Sequence, residues 1–227
     1  MRELSPFARN SATVQYLLDQ LSSSATSPGD YRSAFYNLGT ILSRAINEAF
    51  DLSTSRVTIA CSSEDADWLT KGILDNLTTA HTSLAVFWNL RANPFNQKDI
   101  SIAPITKSYI EKVVNPAYLI ITKSIIYTSC VVRTNLTYLI EHLNPERIII
   151  ASPVMFANAE ETLKSEFSPE ISDKFNFLYF ATDNEINAEG EVMPGIGGSV
   201  YERLGIGNNE TKNKYIPDIV KARRAAL

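Results

Sequence analysis

Apolar positions recur at helical spacing near the start of the chain. Val14, Leu17, Leu18 and Leu21 fall on one face and predict a helix over 11–24. The run Ser22 to Gly29, rich in Ser and Thr and closed by Pro28-Gly29, predicts a loop. Asp30 is expected to cap a second helix, whose stripe of Ala34, Phe35, Leu38, Ile41, Leu42, Ala45, Ile46, Ala49 and Phe50 is wide enough to be buried. Gly39 lies inside that stripe and marks a close-packing point. From residue 56 the pattern changes to short apolar runs alternating with helical stretches. Strands are predicted at 56–60, 84–88, 118–122, 147–151 and 176–181, and helices at 65–77, 131–143 and 158–167. Such alternation predicts an α/β fold: a mostly parallel central sheet with helices on both faces, and crossovers of right-handed sense. The segment 89–109, interrupted by Pro94 and Pro104, is expected to form a β-arm or flap. The tail from 215 carries Lys221, Arg223 and Arg224, which favour a helix C-terminus.

The whole chain of 227 residues is read as a single domain: N-terminal helices over 11–50, an α/β core over 56–207 and a tail over 208–227. A hydrophobic content of 44% is enough for a full core. The net charge of −4 argues against a general nucleic-acid binder. No apolar run is long enough to span a bilayer, and no apolar leader follows Met1, so a cytoplasmic setting is expected. Two cysteines, Cys61 and Cys130, make no disulfide framework. His81 and His142 lack companion ligands at zinc spacing, and no metal is expected. His142 is expected at the surface, and Trp68 and Trp88 in the core.

Ligands of parallel sheets bind beyond the carboxyl ends of the strands. One stretch there stands out. Six of the nine glycines fall between Gly190 and Gly207, and Pro194-Gly195 marks a turn within them. Glycine supplies positive φ and close backbone approach, so a small planar ligand read by main-chain groups would suit this loop. A connector that only turns the chain would show the same composition.

The loop resembles the base-binding end of uracil phosphoribosyltransferases. Their pattern is Asp-x-x-Leu-Asn-x-x-Gly, an apolar residue, then Pro-Gly-x-Gly-Asp-Ala-Gly-Asp-Arg. Asp183, Ile186, Asn187, Gly190, Val192, Pro194, Gly195 and Gly197 stand in matching places, and Arg203 and Gly205 match its close. The family's Asp after the second loop glycine is replaced by Gly198, and one residue is added before Glu202. The order of elements over 11–207 is also similar. The resemblance implies the phosphoribosyltransferase fold, a homo-oligomer or protein partner, and a pyrimidine base or nucleotide held by Val192, Met193, Pro194, Gly195 and Gly197.

The family binds phosphoribosyl pyrophosphate (PRPP), with magnesium, through a loop resembling Val-Asp-Pro-Met-Leu-Ala-Thr-Gly-Gly-Ser. Here the corresponding run is Ile121 to Cys130. Lys123 stands at the acidic position, a reversal of charge. Thr128 survives, and Ser129 and Cys130 replace both glycines of the phosphate cradle. The family's Arg-Ala-Gly after the first strand is replaced by Cys61-Ser62-Ser63-Glu64-Asp65-Ala66-Asp67, and Arg91 is the only match for a second family arginine. The resemblance with these departures implies a uracil-phosphoribosyltransferase-like protein that has lost PRPP-dependent catalysis and serves binding, regulation or assembly, with no cofactor. The alternatives are an active enzyme of pyrimidine salvage with an atypical, magnesium-dependent site, and a different enzyme using Lys123 or Cys130 as nucleophile. Singly, Lys123 is either an anion-binding group or a surface lysine. Glu64, Asp65 and Asp67 either hold a cation or favour the dipole of their own helix.

Overall fold

Eight strands, five of them the expected apolar runs, build one sheet in the computed structural model, which describes residues 1–92, 102–112, 116–208 and 211–226. The strands are β1 (Arg2–Leu4), β2 (Arg56–Ser62), β3 (His81–Asn89), β4 (Ile105–Ile110), β5 (Tyr118–Thr122), β6 (Ile125–Ile126), β7 (Arg147–Phe156) and β8 (Phe175–Asp183). Their spatial order is β1-β8-β7-β5-β2-β3-β4, with β6 alongside β7. Pairing is parallel throughout the centre and antiparallel only at β1–β8 and β3–β4. The central strands are buried along almost their whole length, as expected of a parallel sheet covered on both faces. The small hairpin β9 (Glu185–Ile186) and β10 (Val192–Met193) carries the glycine loop.

The helices are α1 (Pro6–Arg9), α2 (Ala12–Ser22), α3 (Pro28–Ala49), α4 (Lys71–Leu74), α5 (Cys130–Ile140), α6 (Ala159–Ser165), α7 (Pro169–Ser172), α8 (Val200–Arg203) and α9 (Asp218–Ala225). The apolar stripes of α2 and α3 join the core on one face of the sheet with Ile59, Ile120 and Ile149. The side chains of α5 and α6 cover the other face with Leu119, Ile148 and Ile150. Gly39 of α3 meets Gly72 of α4 at the expected close approach: a Cβ on Gly39 would fall inside the radius of the Leu69 carbonyl oxygen. No helix among the described residues is long and apolar enough to cross a membrane.

Two expectations are corrected, and a third is met in its described part. Ser27, not Asp30, caps α3: its hydroxyl oxygen accepts the Asp30 N–H at 3.2 Å and donates to the Asp30 carboxylate at 2.7 Å. Ser at this place, with an acid three residues on, has the spacing of a capping box, with the acid accepting from the Ser27 hydroxyl. The single helix expected over 65–77 is a 3-10 turn (Ser63–Asp65), a π-helical turn (Ala66–Thr70) and the short α4. The expected arm is a hairpin at its base, with β3 and β4 antiparallel and Ala92 bridging Ile102. Its tip, 93–101, lies outside the described residues.

Candidate functional site

The chain runs from β2 outward to β3, then returns to place β5 on the other side of β2. Strand order therefore reverses between β2 and β5, and their carboxyl ends open the crevice where ligands of such sheets sit. In this protein the crevice is filled by its own side chains. Lys123, just past β5, is buried and donates to Asp65 Oδ2 at 2.7 Å, Glu64 Oε1 at 3.1 Å and Ser124 Oγ at 3.2 Å. Asp65 is further saturated by the Ser62 hydroxyl at 2.7 Å and the Ser124 N–H at 3.1 Å. Thr70 and Thr122 close the floor with a hydroxyl contact of 2.7 Å.

This geometry sets the charges. Burial pulls the Lys123 ammonium down, and the Asp65 and Glu64 carboxylates outweigh it, so the group sits above the ordinary lysine range. Burial works against the Glu64 carboxylate too, but Lys123 and Lys212 hold it well below its ordinary value. Glu64 Oε2 has no hydrogen-bond partner among the described residues. Lys212 enters from the C-terminal segment, buried, with Nζ donating to the Asn89 carbonyl at 2.7 Å and lying 4.4 Å from the Tyr201 ring centre. Burial lowers its ammonium below the lysine range.

Lys123 is thus neither an exposed lysine nor an open anion site. The acids of the β2 loop do not favour their own helix: Glu64 and Asp65 face Lys123, and Asp67 caps a distant one. Asp67 accepts the Asp218 and Ile219 N–H groups at 2.7 and 2.8 Å, at the start of α9, and also accepts from the Tyr215 hydroxyl. Among the described residues no acid, His or Cys cluster could hold a metal ion. Cys61 and Cys130 are buried in separate apolar clusters and are not joined in a disulfide.

Ser129, just before α5, takes the left-handed conformation, φ 57, at a steric cost for a residue with a Cβ. The cradle below it is nearly closed. The cavity bounded by Arg91, Lys123, Tyr127, Ser129 and Cys130 measures about 10 Å³, room for at most one water. Thr128 is exposed and does not line it.

The open space lies beside the glycine loop. A cavity of about 280 Å³ is lined by Lys123, Ser124 and Ile125 from below β5, by Arg91 beyond β3, and by the loop with Tyr201 above. Of the five expected base-binding residues, Val192 lines it. Gly190, Glu191, Ile196 and Gly198 contribute the rest of the loop wall. Gly195 and Gly197 hold the loop in place: Gly195 donates to Asp183 at 2.9 Å and accepts from Arg2 at 2.6 Å, while Gly197 accepts from Arg203 at 3.0 Å. The cis Met193–Pro194 peptide completes the turn, and Met193 is 41% exposed rather than packed. Trp88 is buried, as expected, whereas Trp68 is half-buried beneath Arg32 and Tyr215, and His142 is exposed. The residues the sequence reading missed are Lys212, Tyr201 and Glu191. Glu191 and Tyr201 lie within the glycine-rich stretch but carry no motif of their own, and Lys212 reaches the crevice from the C-terminal segment.

No family model matches the chain, and no curated protein matches it in sequence. Solved structures do. The AQ2163 protein from Aquifex aeolicus superposes with a TM-score of 0.66 at 13% identity, over 89% of this chain and 96% of its own. That likeness shows a shared fold through most of both chains. A Bacillus anthracis hypoxanthine-guanine phosphoribosyltransferase gives 0.42 at 9% identity, over 55% of this chain and 70% of its own. A Neisseria gonorrhoeae hypothetical protein with bound ppGpp gives 0.44 at 10% identity, over 68% and 82%.

Proposed function

We propose that this is a phosphoribosyltransferase-like protein without PRPP-dependent transfer, whose remaining cavity binds a pyrimidine base or related ring at the glycine loop. One observation carries the reading: the Lys123–Glu64–Asp65 cluster occupies the crevice between β2 and β5, with the lysine already held by two buried carboxylates. A pyrophosphate there would have to displace an ion pair and sit against two buried carboxylates. The closed cradle under Ser129 points the same way, since a phosphate does not fit a cavity of about 10 Å³. Without group transfer, the bound ring would act through a second copy of the chain or another protein partner. Calorimetry with PRPP and magnesium, uracil and UMP tests the reading, with a uracil-to-UMP turnover assay beside it. Heat from uracil alone is the expected result. Magnesium-dependent PRPP binding, or turnover, would establish the active-enzyme alternative.

A further inference from the structure

Two charged side chains on the wall of the 280 Å³ cavity, Arg91 and Glu191, have no ion pair among the described residues. Three cations converge on the crevice: Lys123, Lys212 and Arg91. Two buried carboxylates, Glu64 and Asp65, answer them, and both point at Lys123. Lys212 is seated on a carbonyl and an aromatic face. Arg91 has no ion pair or hydrogen bond among the described residues. It stands on the wall shared by the large cavity and the closed cradle. Glu191 faces the same cavity from the loop. One of its oxygens accepts from the Asn187 amide at 3.2 Å, and no cation pairs with it among the described residues.

A ligand matched to these walls has an N–H to give to a carboxylate and an acid group to give to a guanidinium. It also has no phosphate arm, because the cradle that would hold one is closed. Resting on the proposed base-binding reading, we infer that the cavity takes a free six-membered heterocycle bearing a carboxylate, anchored by Arg91. Guanidinium and carboxylate meet in a two-pronged geometry that an ammonium cannot reproduce, so the residue type matters as well as the charge.

Calorimetry of the full chain with uracil, uracil-6-carboxylate, UMP, and PRPP with magnesium tests this, on wild type and on Arg91→Gln. Arg91 is exposed at the sheet's end, and matched thermal melts establish that the variant folds. The expected result is that the carboxylated ring binds at least about tenfold tighter than uracil, the scale of a charge-assisted hydrogen bond in a partly desolvated site. In Arg91→Gln that advantage disappears. Equal binding of uracil and its carboxylate would overturn the inference and leave the base-binding reading standing. UMP binding tighter than either ring would overturn the inference in favour of a nucleotide. PRPP binding, or no binding by any ring, would overturn the reading beneath it as well.

Discussion

Lys123 Nζ and Asp65 Oδ2 lie 2.7 Å apart, both buried, joining loops that leave two neighbouring parallel strands. Removing one partner of such a pair strands the other's charge, at a cost of about 3–5 kcal/mol. Lys123→Met should therefore lower unfolding free energy by about that amount in urea titrations. Adding Glu64→Gln to Lys123→Met should recover part of the loss, because Asp65 keeps its bonds to Ser62 and Ser124. A loss below about 1 kcal/mol would mean that the cluster is solvated rather than internal.

Strands β2, β3, β5, β7 and β8 were legible because each is a local apolar run. The expected strand at 118–122 has the bounds of β5, and the others extend by a few residues where neighbours continue the ladder. Strand β1 could not be read: its three residues hold extended form only because β8 offers an open edge. The crevice was half legible. Opposite charges at 64–65 and 123 were visible as departures from a family pattern. That Lys123 pairs with both acids was not, since Asp65 and Lys123 are 58 residues apart and only the sheet order brings them together. Gly195 and Gly197 were visible as special backbone, but whether their polar groups face a ligand or the protein depends on Arg2 and Arg203.

Acid should destabilise the protein through Glu64. Burial raises its carboxyl, and Lys123 and Lys212 more than compensate, so the folded value lies below the unfolded one near 4.5. A group depressed in the folded state contributes stability above its unfolded pKa and loses it as pH falls toward its folded one. Urea midpoints should therefore drop as pH is lowered from about 5 toward 2, with a shallower drop in Glu64→Gln. Parallel curves for the two proteins would remove Glu64 from the account.

The contact between α3 and α4 should not tolerate a methyl group. A Cβ on Gly39 would collide with the Leu69 carbonyl, and one on Gly72 with the Tyr36 carbonyl. Both obstacles are backbone, so the helices must separate. Gly39→Ala should cost about 1–3 kcal/mol despite alanine's better helix propensity. A gain in thermal midpoint would show that the pair of helices can slide apart freely.

The anchor of the glycine loop can be tested apart from its ligand. Asp183 is fully buried and accepts from Arg2 Nε at 2.9 Å, Arg2 Nη2 at 2.7 Å and the Gly195 N–H at 2.9 Å. It therefore ties the N-terminal strand, the end of β8 and the turn after Pro194 into one unit. In Asp183→Asn the amide nitrogen must face one of these donors, and the Arg2 guanidinium loses its counter-charge. Destabilisation of about 2–4 kcal/mol is expected. Arg2→Ala removes the cation instead and leaves Asp183 with a single amide donor; it should fall in the same range. If the anchor is one unit, the double variant should cost clearly less than the sum of the two. Uracil binding should weaken in each variant that still folds, because Val192 and Ile196 line the cavity from the segment that Gly195 pins. Additive losses, or unchanged uracil affinity in a folded Asp183→Asn, would show that the loop keeps its shape without the N-terminal strand.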